Sequence, residues 1–335
     1  MPRHLPLFFL YVALLYALCT TVCMMVPDWL VTQVYAQVTL LVPSQPSIEA
    51  PSGKTALRDE KRPEAATKAD KQATPESNAA GQNEAEAATP VPGEVPVAPL
   101  LDEEVDVLIT MMHPFRNEAL DMDRPQLLAV LRYDDATPIN DNVYQPERRD
   151  LLGDVEEIRY MNHRAWGANV ALPRPGLYQF VIEGRPWWDT AHQCFLRHYV
   201  KSILPVYGVE FGWGLPCGQH LEIVPRTRPF GLMAPVLFSG TALQDGSPLA
   251  SVSVRMVRIN MEKQSVPTPW HEELTARTNA QGEFAFVLNQ TGWWCCMVDV
   301  PGDPLKGPDG QPKPQRLSAL LWLYVDGPAE AARKR

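Results

Sequence analysis

The sequence predicts an all-β protein: two tandem β-sandwich domains, immunoglobulin-like or transthyretin-like, preceded by an N-terminal hydrophobic helix and a disordered insert. Three observations carry that prediction. Short runs alternate apolar and polar residues, which places successive side chains on opposite faces of a strand. These runs are punctuated by Pro, Gly, Asp and Asn, and none keeps a helical period. The chain also holds 33 prolines in 335 residues, and proline breaks helix interiors and cannot donate to a sheet ladder.

The N-terminus reads as an export signal. Met1–His4 is short and basic, and Leu5–Val26 is apolar without a charge. Val34-Tyr35-Ala36 then places small or apolar residues where a signal peptidase reads them. Residues 1–36 are therefore expected to be a signal peptide cleaved after Ala36. The apolar run is also long enough to span a bilayer, so an uncleaved anchor through residues 5–26 is the alternative. Both topologies put the remainder outside the cytoplasm.

Residues 37–44 alternate and form the expected first strand of the N-terminal sandwich. Residues 45–104 carry twelve acids and six bases, are rich in Ala, Glu, Pro and Thr, and bury too little apolar surface to offset ordering entropy. They read as a disordered insert. The N-terminal sandwich resumes over 105–228. There Val105, Val107, Ile109 and Met111 share one strand face, which His113 continues before Pro114. Further strands are expected at 126–132, 168–172, 176–183, 194–203 and 219–224.

The C-terminal sandwich spans 229–326, with strands at 236–243, 250–260, 283–288, 293–300 and 317–325, and 327–335 is a tail. Asp245-Gly246-Ser247-Pro248 and Asn279-Ala280-Gln281-Gly282 supply turns. Seven or so short strands in about 100 residues is the density of a sandwich.

The net charge of −9 offers no basic field for nucleic acid. Catalytic signatures are missing as well. His271-Glu272-Glu273-Leu274-Thr275 opens like a zinc-protease helix but has threonine where the second histidine must stand. No serine sits in a nucleophile elbow, and Glu156-Glu157 reads as a solvated pair. The chain is expected not to be an enzyme.

Outside the cytoplasm disulfides persist, so Cys194–Cys217 is a possible bond and free buried thiols are the alternative. Adjacent Cys295 and Cys296 in a strand point to opposite faces and cannot readily share one metal ion. The pairs Trp187-Trp188 and Trp293-Trp294 each place one ring inward and one outward.

Several stretches occur in the order of one family: Gln37–Ser44, His113–Glu118, Cys194–Lys201, Leu221–Pro225, Pro229–Leu232, Asp245–Ala250, Gly292–Trp294 and Ala319–Val325. Together they resemble a domain-of-unknown-function family described as the periplasmic component of cobalt/nickel uptake systems. The resemblance covers residues 37–44 and 105–326. It implies a periplasmic all-β protein associated with nickel or cobalt uptake and a membrane metal-transporter complex. Many relatives begin their mature chain with Ala-His; here Gln37 follows Ala36, and the insert after Ser44 is atypical.

Nickel and cobalt take imidazole and carboxylate ligands. His113, Glu118 and His198 are the candidate ligands. His113 and Glu118 frame the loop that ends a strand, while the bland reading of His113 is a core histidine bonded to a backbone carbonyl. On an unbroken strand His192 and His198 share an apolar face roughly 20 Å apart, too far for one ion, so a satisfied core histidine is the competing reading of His198. His220 and Glu222 would form a solvent-facing pair, and His163 and His271 lie in loops. The expected function is an extracytoplasmic, non-enzymatic binding or accessory protein for nickel or cobalt uptake. The alternative is an envelope module that binds protein or polysaccharide without metal.

Overall fold

The computed structural model describes residues 36–50 and 100–327. The proposed signal or anchor up to residue 35, most of the insert and the end of the tail lie outside them. Among the described residues the helical elements are two single 3-10 turns, Leu152–Asp154 and Pro269–His271, and no helix is long and apolar enough to cross a membrane.

The chain lays down β1 (Val38–Pro43), β2 (Glu104–His113), β3 (Glu118–Leu120), β4 (Leu127–Tyr133), β5 (Ile139–Asn140) and β6 (Val143–Tyr144). Next come β7 (Glu147–Asp150), β8 (Glu156–Tyr160), β9 (His163–Ala171), β10 (Gly176–Glu183), β11 (Trp187–Asp189) and β12 (Cys194–Val206). The later part adds β13 (Leu221–Pro225), β14 (Leu232–Met233), β15 (Val236–Gln244), β16 (Ser247–Pro248) and β17 (Ser253–Arg258). It ends with β18 (Glu273–Arg277), β19 (Glu283–Leu288), β20 (Gly292–Lys306) and β21 (Pro312–Asp326).

These strands make three main layers. A central ten-stranded sheet runs β18-β17-β20-β21-β12-β10-β4-β7, with β11 on β12 and β14 on β21. A five-stranded sheet (β1-β2-β9-β8, with β3 on β2) covers one face, and a four-stranded sheet (β13-β15-β16, with β19 on β15) covers the other. The all-β architecture is thus as the sequence predicts. The two sandwiches, however, share a sheet instead of following one another as separate bodies. The junction is the parallel pairing of β12 with β21, in register from Phe195 opposite Gln315 to Ser202 opposite Trp322. Parallel neighbours need a long crossover, and here the whole β13–β20 segment supplies it.

Alternation decides which core each residue enters. On β10, Tyr178, Phe180 and Ile182 join the core under the five-stranded sheet, while Leu177 and Val181 join the core under the four-stranded sheet. Cys295 and Cys296 divide in the same way, as expected for neighbours in a strand. β1 lies antiparallel to β2, Val38 opposite Met112, and Trp322 Nε1 of β21 donates to Thr39 O at 2.9 Å.

The insert is ordered for longer than its composition suggests. Ile48 is buried and bridges Val206, with its N–H donating to Pro205 O and its carbonyl accepting from Tyr207 N. One apolar side chain that reaches a core offsets the polar composition around it.

Candidate functional site

β2 ends at His113 because Pro114 cannot continue the ladder. The chain then turns through Asn117, at φ 52°, with Asn117 N donating to Pro114 O. Asparagine tolerates that left-handed conformation better than most residues. The turn brings Glu118 directly opposite His113, so two of the three sequence-predicted ligands meet across one hairpin.

His113 is half-buried and lines a cavity of about 90 Å³ with Ala36, Phe115, Arg116, Trp270, Glu272 and Glu273. Its Nδ1 is buried without a hydrogen-bond partner among the described residues. Burial, and then the Arg116 charge, lower its pKa; Glu118, a hydrogen bond with the Ala36 backbone and Asp189 oppose this more weakly. Burial thus favours the neutral ring, and among the described residues its Nδ1 meets no donor or acceptor. Of the nearby carboxylates, Glu118 is exposed and Glu272 is half-buried. Glu273 is paired with Arg255 at 3.4 Å.

His198 does not belong to this group. It sits on β12 at 3% exposure, beneath β1, and lines a different cavity. Its Nδ1 accepts from Thr39 N–H at 3.1 Å and lies 2.9 Å from Thr39 Oγ1, while Nε2 has no partner among the described residues. Burial, reinforced by Arg316, pushes its pKa down to about 3. The alternation that puts His198 on the apolar face of β12 carries it into the core, away from the hairpin. Among the described residues no group of three or more His, Cys, Asp or Glu is placed to hold a metal ion.

Other sequence expectations shift for identifiable reasons. His192 is not on the strand: β12 starts at Cys194 after Gln193 takes φ 52°, and His192 Nδ1 pairs with Asp189 Oδ2 at 2.6 Å. His220 and Glu222 do not form a solvent-facing pair. His220 bonds Asp245 at 2.8 Å, while Glu222 is buried against Lys201. The Cys194–Cys217 bond is also absent, because Cys194 packs in one core and Cys217 against the other, on opposite sides of the central sheet. Trp294 is buried, while Trp293 packs edge-on against Tyr324 at 5.3 Å. The segment that opens like a zinc-protease helix is a 3-10 turn followed by β18.

Sequence reasoning missed Trp270, 76% exposed at the cavity rim. It also missed Glu272 and Glu273 as neighbours of His113. They lie more than 150 residues from it, and no periodicity connects the two loops.

Fold and site define a multilayered β-sandwich protein with a small, polar-rimmed cavity at the end of a hairpin. The chain belongs to the family described as a domain of unknown function (DUF4198), whose model matches residues 94–301. No curated protein matches it. Among solved structures it is similar to Salmonella α-2-macroglobulin reacted with methylamine, at 11% identity over 65% of this chain and 16% of that one, with a TM-score of 0.15. It is also similar to a variant of BcpA, the major pilin subunit of Bacillus cereus, at 7% identity over 70% of this chain and 65% of that one, with a TM-score of 0.16. The chain thus spans less than two thirds of either protein.

Proposed function

We propose that this protein is an exported, non-enzymatic accessory protein of nickel or cobalt uptake that presents the ion from the His113 cavity to a membrane transporter. The carrying observation is the half-buried His113, whose Nδ1 has no partner among the described residues and which lines one cavity with Glu272 and Glu273. One imidazole with Glu118 or Glu272 makes an open, weak donor set, which suits an ion that is to be handed on. Residues 1–36 would direct the chain to the periplasm, either as a cleaved signal or as an inner-membrane anchor.

Calorimetric titration of the exported chain with nickel and cobalt tests this reading. Submillimolar binding that His113→Ala weakens about tenfold or more supports it, and no heat with either ion overturns it. Because only the neutral imidazole binds, affinity should hold at pH 7 and fall once the pH drops below the depressed pKa of His113.

A second reading, an envelope module that binds another protein, has its own observation. Leu237 and Val287 stand directly opposite each other on β15 and β19, 56% and 57% exposed on the outer face of the four-stranded sheet. Adjacent exposed apolar side chains favour a protein contact, and the absence of metal binding would leave this reading standing.

A further inference from the structure

Beneath β1, where β2 and β12 face each other, lies a second cavity of about 20 Å³, enough for one water-sized occupant. Its walls include Met111, Met122, Trp187 and His198. Met111, Met122 and His198 are each 5% exposed or less, whereas Asp123 and Arg185 at its edge are exposed. Buried polar atoms are rarely left without a partner, yet none of the described residues meets His198 Nε2. A buried histidine whose Nε2 has no partner among the described residues thus lines one small cavity with two methionines and a tryptophan.

We propose that Met111, Met122 and His198 form a binding site for a soft monovalent cation, cuprous copper or its silver analogue. Thioether sulfur selects soft ions, whereas nickel, cobalt and the harder divalent ions want nitrogen and oxygen donors, and the buried walls offer no carboxylate. A single charge also costs less to desolvate than a double one. Trp187, whose Nε1 is held by Asp121 O at 3.2 Å, adds a ring able to stabilise a cation. Without the ion, Nδ1 accepts from Thr39 N–H, so the proton sits on Nε2. Binding at Nε2 moves that proton to Nδ1, whose N–H then donates a hydrogen bond to Thr39 Oγ1, 2.9 Å away, the hydroxyl that itself donates to Met111 Sδ at 3.6 Å. The Thr39 N–H is released from the ring, and no proton leaves the protein.

This site shares no ligand with the His113 cavity, so the two readings fail separately. The test titrates the full chain with silver ion, and with cuprous ion against a chromophoric chelator, counting bound ions by native mass spectrometry. The comparison is the Met111→Leu/Met122→Leu variant, which conserves volume. Met122→Leu alone, in the loop before β4, serves if the double variant does not fold. One ion per chain, held at least tenfold less tightly by the variant, with nickel binding unchanged, is the expected result. Absence of binding, or an affinity that the methionine changes leave intact (the ion then resting on thiols), overturns the proposal.

Discussion

Lys201 Nζ lies 3.2 Å from Glu222 Oε2, with both side chains 2% exposed, so one ion pair is sealed between the central sheet and the four-stranded sheet. The same carboxylate accepts the backbone N–H groups of Cys217 and Gly218 and the Cys217 thiol. Removing one partner leaves a buried charge without compensation, which typically costs about 3–5 kcal/mol, whereas an apolar pair of similar volume can be neutral. Glu222→Gln and Lys201→Met are each expected to lower the unfolding free energy by about that amount. Lys201→Met/Glu222→Gln, which keeps an acceptor for the Cys217 and Gly218 N–H groups, should recover much of it in a urea-denaturation double-mutant cycle.

Acid should destabilise the protein through two carboxylates. Burial raises the pKa of Glu222, but Lys201 and the Cys217 donors outweigh it and hold the group below its ordinary value. Burial likewise raises Asp299, yet Arg255 and Arg316 bring it down to about 2. Folded-state pKa values below the unfolded ones contribute stability that is present above the ordinary carboxylate range and lost as pH falls through the depressed values. Urea midpoints should therefore be insensitive to these groups from pH 7 to about pH 5, then fall toward pH 2, and Asp299→Asn should flatten the acid limb.

The thiols should be silent in the native state. Cys295 and Cys296 are fully buried, and burial raises both pKa values. Burial also pushes Cys217 up to about 12, with Lys201 opposing it, and the thiolate is the reactive form. A maleimide pulse on folded protein should leave Cys217, Cys295 and Cys296 unlabelled. The same pulse in denaturant, without reductant, should label these three and Cys194. Protection of Cys194 and Cys217 in denaturant would reveal a disulfide and contradict the placement on opposite sides of the sheet.

Gly212 sits at φ +101°, and a Cβ there would stand 2.6 Å from Cβ and Cγ of Tyr133. Its carbonyl accepts from Gln179 Nε2 at 2.8 Å. Gly212→Ala combines a disfavoured dihedral with a collision against a buried ring and should cost about 2 kcal/mol or more, read as a lower denaturation midpoint.

Much of the candidate site was legible at short range. Pro114 after an alternating run marks where β2 stops, and the hairpin that follows sets Glu118 opposite His113. The partners of His198 were not legible, because Thr39, Met111 and Met122 come from segments 159, 87 and 76 residues away. Alternation says that a side chain points inward but not what it meets there. His220 and Glu222 show the same limit: the sequence sets them two apart, but the strand begins only at Leu221 and Glu222 finds its cation on β12.

By itself the sequence determined that this is a β protein and which side chains seek the interior, because a period of two and the placement of proline act through neighbouring peptide units alone. Strand order, the parallel β12–β21 junction that fuses two sandwiches on one sheet, and the separation of His113 from His198 were decided only by tertiary structure. They depend on which faces bury each other across long loops, and loop-closure entropy varies too slowly with length for local sequence to select among such pairings.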